Sequence, residues 1–423
     1  KQGKYSSAAE MLGTLHSKLA TDDPLLFELN YLQGEAAFEL KDYNKAIAYF
    51  EKSLPPEHPE KQQWYADTLY HLGWSYLKIG DETKDQNPQN RSLKKAEEIF
   101  DRLIAITPEE NAYLALAQCY LSQNKLANQT EYQDKAEKLL SRQDIYSTKE
   151  AKAHALLLRA EAAPSYASRD QIYRELTEAN DPGIYYAKGW YMRALNDFEH
   201  GQTLLQTQSF HASQHAFKRA ASAFKTAFDL LNENDKQQAA AALKYQALAT
   251  SYSGEDQADV NAFQVLEELM HTPSVWEAVQ NKAEIFYLHG YFAGRISEKL
   301  DREKNLETAR QSLNAAASLP DNAFGDQALN YLGSLYYKNT DYKNAEVAYR
   351  KLTETFPNSP LAAEAWLWSA CCADNLQDDL KIGKERRQHT YKKFPGTPAA
   401  AEAFFTYYTY PEYLQGDRTA IKH

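Results

Sequence analysis

At 423 residues the chain has room for two or three globular domains, but 16 Gly and 15 Pro against 30 Tyr, 17 Phe and abundant Ala and Leu suit helices and make little provision for strand turns. Its 47 Lys and Arg against 58 Asp and Glu, a net charge of −11, argue against a general affinity for phosphate backbones or anionic lipid, which needs a basic face. Cys119, Cys371 and Cys372 are too few for a disulfide framework and lack zinc-site spacing, and no apolar run reaches the ~18 residues of a membrane span.

The chain opens on QGKYSSAAEMLGTL (2–15), with Gly3 shortly before Ala8. Residues 1–20 read as the second helix of a repeat whose first helix is missing. No initiator Met is present, so the natural protein is expected to begin upstream, where a signal peptide or lipidated Cys would lie. In LQGEAAFELKDYNKAIAYFEKSL (32–54), apolar residues recur at helical period on both sides of a short polar turn. That pattern predicts two antiparallel helices. Gly34 in the first is followed by Ala46 in the second and, one turn further on, by Phe50, with Asp42-Tyr43 ahead of the Ala. LGWSYLKIGD (72–81) opens another copy, whose partner KKAEEIFDRLIAITPE (94–109) is expected to begin only after the polar insert ETKDQNPQNRSL. LALAQCYLSQ (114–123) is separated in the same way from DKAEKLLS (134–141). Pro88 and the polar residues around it mark such inserts as loops.

These copies fill 21–145. From 146 to 320 the match weakens to divergent hairpins, with second-helix signatures at KRAASAFKTAFDLL (218–231) and ETARQSLNAAASLP (307–320). The pattern returns over 321–410, where Gly333, Ala345, Tyr349 and Asp341-Tyr342 repeat the earlier spacing. FPNSPLAAEAWLW (356–368) and FPGTPAAAEAFFT (394–406) match almost word for word. Cys371 and Gly383 then repeat the spacing of Gly333 and Ala345, with Cys371 as the small residue of the crossing. Pro411 is expected to stop helical packing and leave 411–423 as a cap or tail. Thr107-Pro108, Ser359-Pro360 and Thr397-Pro398 each place a capping hydroxyl before a Pro at a helix start, and Asp23-Pro24 and Asp181-Pro182 a carboxylate.

Gly and Ala belong where two helices cross most closely, and the aromatics fill the wider gaps beside them. One hairpin cannot bury its apolar faces alone, so the units must stack. At Gly34, Ala46, Phe50, Gly333, Ala345 and Tyr349 the chain resembles the tetratricopeptide repeat family. The resemblance implies an all-α, right-handed superhelical solenoid of roughly nine to ten hairpins, first helices lining the concave wall. Groove-facing stripes would then be Tyr31, Glu35 and Phe38; Tyr70, Trp74 and Leu77; Leu114, Gln118 and Leu121; Asn330, Ser334 and Tyr337; with Trp368 in the last. Such an aromatic, weakly acidic trough suits a peptide segment with apolar anchors and a basic residue. Family members that grip the carboxylate tails of heat-shock chaperones do so with Lys and Asn. Tyr31, Glu35, Tyr70 and Trp74 offer no such clamp.

No phosphate-loop, dinucleotide, nucleophile-elbow or zinc-protease motif occurs. His211 and His215 stand four apart on a predicted helix, but no third ligand accompanies them, and a solvated face is the expectation. No catalytic residue, metal or cofactor is expected, and the chain is not expected to be an enzyme. The reading is a non-catalytic scaffold or adaptor for protein or peptide partners, with no nucleic acid and no transmembrane segment. The two matching phrases are similar to repeats of bacterial periplasmic proteins, the β-barrel assembly lipoprotein and the Tol-Pal-associated coordinator among them. That similarity implies a periplasmic or outer-membrane-associated place, with a membrane anchor lost upstream. A cytoplasmic adaptor or secretion chaperone, and the recruiting module of an enzyme whose catalytic part lies outside this chain, are the alternatives.

Overall fold

A computed structural model describes residues 2–19, 23–54, 64–82, 86–127, 130–142, 144–179, 183–319, 323–376 and 380–414. Every regular element among them is a helix. The chain divides into two compact units, Lys1–Asn196 and Asp197–His423. Unit 1 starts with α1 (Gln2–His16). Four hairpins follow: α2 (Leu25–Glu39) with α3 (Tyr43–Ser53), α4 (Tyr65–Glu82) with α5 (Gln86–Ile106), α6 (Glu110–Ala127) with α7 (Thr130–Leu140), and α8 (Lys149–Ala162) with α9 (Tyr166–Glu178). The unit boundary falls inside α10 (Ile184–Gln206), whose last turns pair with α11 (Phe210–Leu231) in unit 2. There follow α12 (Lys236–Tyr252) with α13 (Ala258–His271), the single turn α14 (Pro273–Trp276), α15 (Lys282–Ser297) with α16 (Arg302–Ser318), and α17 (Gly325–Lys338) with α18 (Tyr342–Thr355). The last pair, α19 (Ala362–Asn375) with α20 (Leu380–Lys393), is followed by α21 (Pro398–Leu414).

The small residues of the sequence pattern explain how the pairs close. A Cβ on Gly34 would stand 2.5 Å from the Phe50 ring, and one on Gly333 would stand 2.7 Å from Tyr349. In each hairpin the ring of the second helix lies on the bare backbone of the first. Burying such a ring contributes roughly 1.5–3 kcal/mol, and any side chain at the glycine would lift it off. The turn is equally specific: Lys41 and Thr340, at matching positions after the two glycines, take left-handed φ of 62° and 61°. The following aspartate then caps the second helix, Asp42 accepting from Lys45 N–H and Asp341 from Asn344 N–H, both at 3.3 Å.

The same device recurs in the stretch read as divergent. Gly201 packs against Phe217, Gln208 takes φ 60°, and Ser213 Oγ donates to the Gly201 carbonyl at 2.9 Å. Gly201, Ser213 and Phe217 keep the spacing of Gly34, Ala46 and Phe50, so α10 and α11 form a repeat of the regular kind. It escapes notice because Ser stands where Ala is expected.

Several boundaries differ from the sequence reading. Helix α5 begins at Gln86, inside the insert marked as loop, with Pro88 in its first turn, where the missing N–H has no intrahelical partner to lose. Helix α7 begins at Thr130, ahead of the expected start at Asp134. Helix α21 runs past Pro411 to Leu414, since a proline this close to a helix end removes one bond only. Of the hydroxyl caps, Thr397 behaves as expected, accepting from Ala400 N–H at 3.2 Å. Helices α6 and α19 start at Glu110 and Ala362, beyond Pro108 and Pro360. The Asp181-Pro182 cap and residues 415–423 of the tail lie outside the described residues.

The last hairpin also shifts register by one. His71 stacks on Phe50 (5.9 Å, 14°) and meets Phe38 edge-on, and Trp368 repeats this with Tyr349 (6.5 Å, 18°) and Tyr337. The crossing residue two positions after His71 is Gly73, so its equivalent is Ala370, which is fully buried. Cys371 is therefore not the small residue of the crossing. It is half-buried, and Cys372 is fully buried.

Candidate functional site

In unit 1 the first-helix residues assemble an aromatic face. Tyr31 of α2 stacks on Trp64 (6.2 Å, 17°), and its phenol donates to Glu35 Oε1 at 2.7 Å. Burial, and then this bond and the Glu35 charge, raise the Tyr31 phenol far above its ordinary value. On α4, Tyr70 meets Trp74 edge-on at 6.2 Å, and Lys78 Nζ lies 5.4 Å from the Trp74 ring centre. His71 donates from Nδ1 to the Asp67 carbonyl at 3.0 Å, which fixes the ring between Phe38 and Phe50.

The predicted residues divide by this geometry. Tyr31, Glu35, Tyr70 and Trp74 are half-buried and retain exposed surface. Phe38 wedges between Tyr43 and His71 as a joint between hairpins. Leu77 is 0% exposed and belongs to the core, as Leu114 and Leu121 do at 3% each. These three are withdrawn from the groove. The apolar stripe is wide enough to turn the third stripe position of α4, and the first and third of α6, into the neighbouring helices.

Farther along unit 1 stands a second aromatic pair that the sequence did not single out. His154 of α8 and Tyr185 of α10 stack at 4.2 Å and 13°, with Lys188 Nζ 5.7 Å from the Tyr185 ring centre. Burial, helped by Lys188, pushes His154 down to about 4. Burial first, then Glu150 and Tyr70, raise the Tyr185 phenol. The available signal was aromatic spacing alone, because α8 carries no glycine to set its register.

In unit 2, Tyr337 packs edge-on against Tyr342 and Trp368, both at 5.1 Å, and accepts from Asn375 Nδ2 at 3.3 Å. Trp368 has a second role, donating from Nε1 to Glu364 at 3.2 Å. It also lines a cavity of about 460 Å³ between α19 and α21. Cys371 opens into the same cavity. Burial foremost raises its thiol, Arg387 works against that, and Asp374 and Glu402 add to it. Burial likewise pushes the Cys119 and Cys372 thiols up to about 12. All three are protonated at neutral pH, the state in which cysteine is a poor nucleophile. His211 and His215 are exposed on α11. Among the described residues no group of three or more His, Cys, Asp or Glu is placed to hold a metal ion, and no helix is long and apolar enough to cross a membrane. What the face in unit 1 can do chemically is bind: it offers ring surfaces, one carboxylate bonded by the Tyr31 phenol and the Lys78 ammonium beside Trp74.

Comparison with known proteins agrees with this packing. Residues 27–54 match one tetratricopeptide repeat model and residues 327–359 another. No curated protein matches the sequence. Similar solved structures include a human IFIT1 dimer with m7Gppp-AAAA, at 14% identity over 93% of this chain and 78% of that one, TM-score 0.43. Yeast Tom70 is 14% identical over 94% and 73%, TM-score 0.35. A signal-transduction ATPase with a tetratricopeptide repeat sensor, from Pyrococcus horikoshii, is 13% identical over 89% of this chain and 54% of that one, TM-score 0.44. Likenesses this distant bear on no function. The two matched segments contain the Gly34–Phe50 and Gly333–Tyr349 pairs, and the chain carries tetratricopeptide repeats in both of its units.

Proposed function

We propose that the chain is a non-catalytic scaffold that holds a peptide segment of a partner protein along the first-helix face of unit 1. The observation that carries this reading is the half-buried aromatic series Tyr31, Tyr70 and Trp74 on the first helices α2 and α4, with Glu35 beside Tyr31. Large rings already held by their neighbours contribute contact area with little loss of side-chain freedom, which is why they dominate binding interfaces. Glu35 selects a segment carrying a basic residue. The setting proposed for this work is a bacterial cell envelope, favoured by the similarity of the 356–368 and 394–406 phrases to periplasmic repeats.

The test is the double change Tyr70→Ala with Trp74→Ala, measured against partners recovered from the native host. Losing two such anchors costs about 2 kcal/mol or more, roughly thirtyfold in Kd. The circular dichroism melt of the variant must show that the repeats still fold. Unchanged affinity in a folded variant would move the site elsewhere, and recovery of the native protein in a cytosolic fraction would end the envelope assignment.

A further inference from the structure

The cavity between α19 and α21 carries a chemistry of its own. Its walls are largely apolar: Pro360, Ala363, Leu367 and Trp368 on one side, Pro398 and Ala399 on the other. Apart from the Cys371 thiol, the ionisable groups lining it are Glu364 and Glu402, one from each wall. Both glutamates are exposed, so each holds its charge in contact with water at the rim. Glu364 is already aimed by the Trp368 indole N–H. The nearest guanidinium, Arg387, approaches Cys371 Sγ at 4.0 Å, but its charge is matched by Asp374 and it donates to Thr406 Oγ1.

One opposing field must be weighed. Both helices present their N-terminal turns here, and a helix N-terminus carries roughly half a positive charge that attracts anions. Thr397 Oγ1 caps α21, accepting from Ala400 N–H at 3.2 Å, whereas α19 has no side-chain cap and Ser359 Oγ accepts only from Leu361 N–H, ahead of the helix, at 3.0 Å. Two full carboxylate charges outweigh two half charges, and the rim is negative. An anion is repelled, and a neutral apolar group would make no use of the two charges. Two carboxylates on opposite walls, with no third ligand, do not make a metal site. A cation on an apolar stem satisfies both features, its methylenes on Leu367 and Trp368 and its charge between the glutamates.

We infer that this cavity is a subsite for a lysine or arginine side chain of a partner polypeptide. It rests on the scaffold reading only in taking a polypeptide as occupant, and it lies in unit 2, apart from the Tyr70 and Trp74 face. The Trp368 indole N–H reports directly on it, because its acceptor is Glu364. The experiment titrates acetyl-Leu-Arg-Leu-amide into the full chain and follows the Trp368 indole resonance by 15N NMR, assigned through loss of that signal in Trp368→Phe. The same titration is run with citrulline in place of arginine, and on Glu364→Gln with Glu402→Gln.

We expect a saturable shift that weakens as salt rises, with Kd about fivefold or more higher for the citrulline peptide and for the double variant, as suits charge pairs at a wetted rim. Equal binding of the arginine and citrulline peptides, or a shift unchanged in the double variant, overturns the inference. So does the absence of any shift at the highest peptide concentration. The shift should persist in Tyr70→Ala with Trp74→Ala, so a failure of the trough in unit 1 and a failure of this subsite give different results.

Discussion

The hairpins α17/α18 and α19/α20 are neighbours in unit 2 and solve one problem in two ways. In the first, Gly333 lies under the Tyr349 ring with Leu332 and Leu352 buried beside it, and no charge enters the crossing. In the second, Ala370 takes the crossing, and the space beyond is filled by polar groups. Arg387 pairs with Asp374, both side chains buried, and its Nε donates to Thr406 of α21 at 3.0 Å. Arg386 reaches back to Glu346 of α18 at 2.6 Å and to Ser369 Oγ at 2.7 Å. Apolar closure gains its free energy by excluding water and is indifferent to which helix comes next. Ionic closure gains little net stability over an apolar isostere, but it is intolerant of a missing partner. It fixes α18, α19, α20 and α21 in one arrangement, and two of these, α19 and α21, line the cavity of Trp368 and Cys371.

The largest effect is therefore expected at Arg387. Arg387→Leu leaves the Asp374 carboxylate buried beside an apolar group and should cost about 3–5 kcal/mol in the local stability of α19–α21. Combining it with Asp374→Leu should recover most of that loss. Hydrogen exchange of the α20 amides, read in a double-mutant cycle, measures both. A single variant as stable as the parent would show that the pair lies in water, and the contrast between the hairpins would vanish. Next comes Gly333→Leu, which forces Tyr349 off its seat and should cost about 1–3 kcal/mol in the urea unfolding of this region. Gly333→Leu with Tyr349→Ala should be milder than Gly333→Leu alone, because the ring is what the new side chain meets. An additive double variant would mean that the ring does not sit on the glycine.

The two kinds of closure were not equally legible. A glycine followed at fixed spacing by an alanine and then, one turn on, by an aromatic is a sequence signal, because only those sizes fit the crossing. It located the hairpins of Gly34 and Gly333 directly. It would also have found Gly201 and Phe217, had Ser been admitted at the alanine position. The ionic hairpin leaves no such trace. Its partners come from several helices, and the spacing of Cys371 and Gly383 imitates the glycine rule while the crossing falls on Ala370. At the candidate site, Tyr31, Glu35, Tyr70 and Trp74 are picked out by helical period only once the family resemblance says which helices line the groove. Leu77 could not be told from a groove residue, because period gives direction around one helix and says nothing of what the adjacent helix covers. His154 and Tyr185 were out of reach for the opposite reason: they meet only through the stacking of α8 against α10.

The smallest expected effect probes a third closure, at α15/α16, where His289 immediately precedes Gly290 as Leu332 precedes Gly333. The imidazole is 3% exposed, hydrogen-bonded through Nδ1 to Ser312 Oγ at 2.8 Å and through Nε2 to Glu267 Oε1 at 2.6 Å. Burial lowers its pKa and the Glu267 contact opposes that, leaving the folded value below the ordinary one. With the folded value depressed, the unfolded chain binds the proton more readily. Stability should then be full above about pH 6.5, the ordinary histidine value, and fall as the pH drops through it toward the folded value, with a slope of at most one proton. Urea midpoints of the parent and of His289→Leu across this range test the claim: the leucine variant should be flatter below about pH 6.5, even if it is weaker overall through the unpaired Ser312 hydroxyl. A parent that gains stability on acidification relative to the variant would show that Glu267 dominates and that the imidazole is held as the cation. This hairpin would then close by an ion pair, as α19/α20 does.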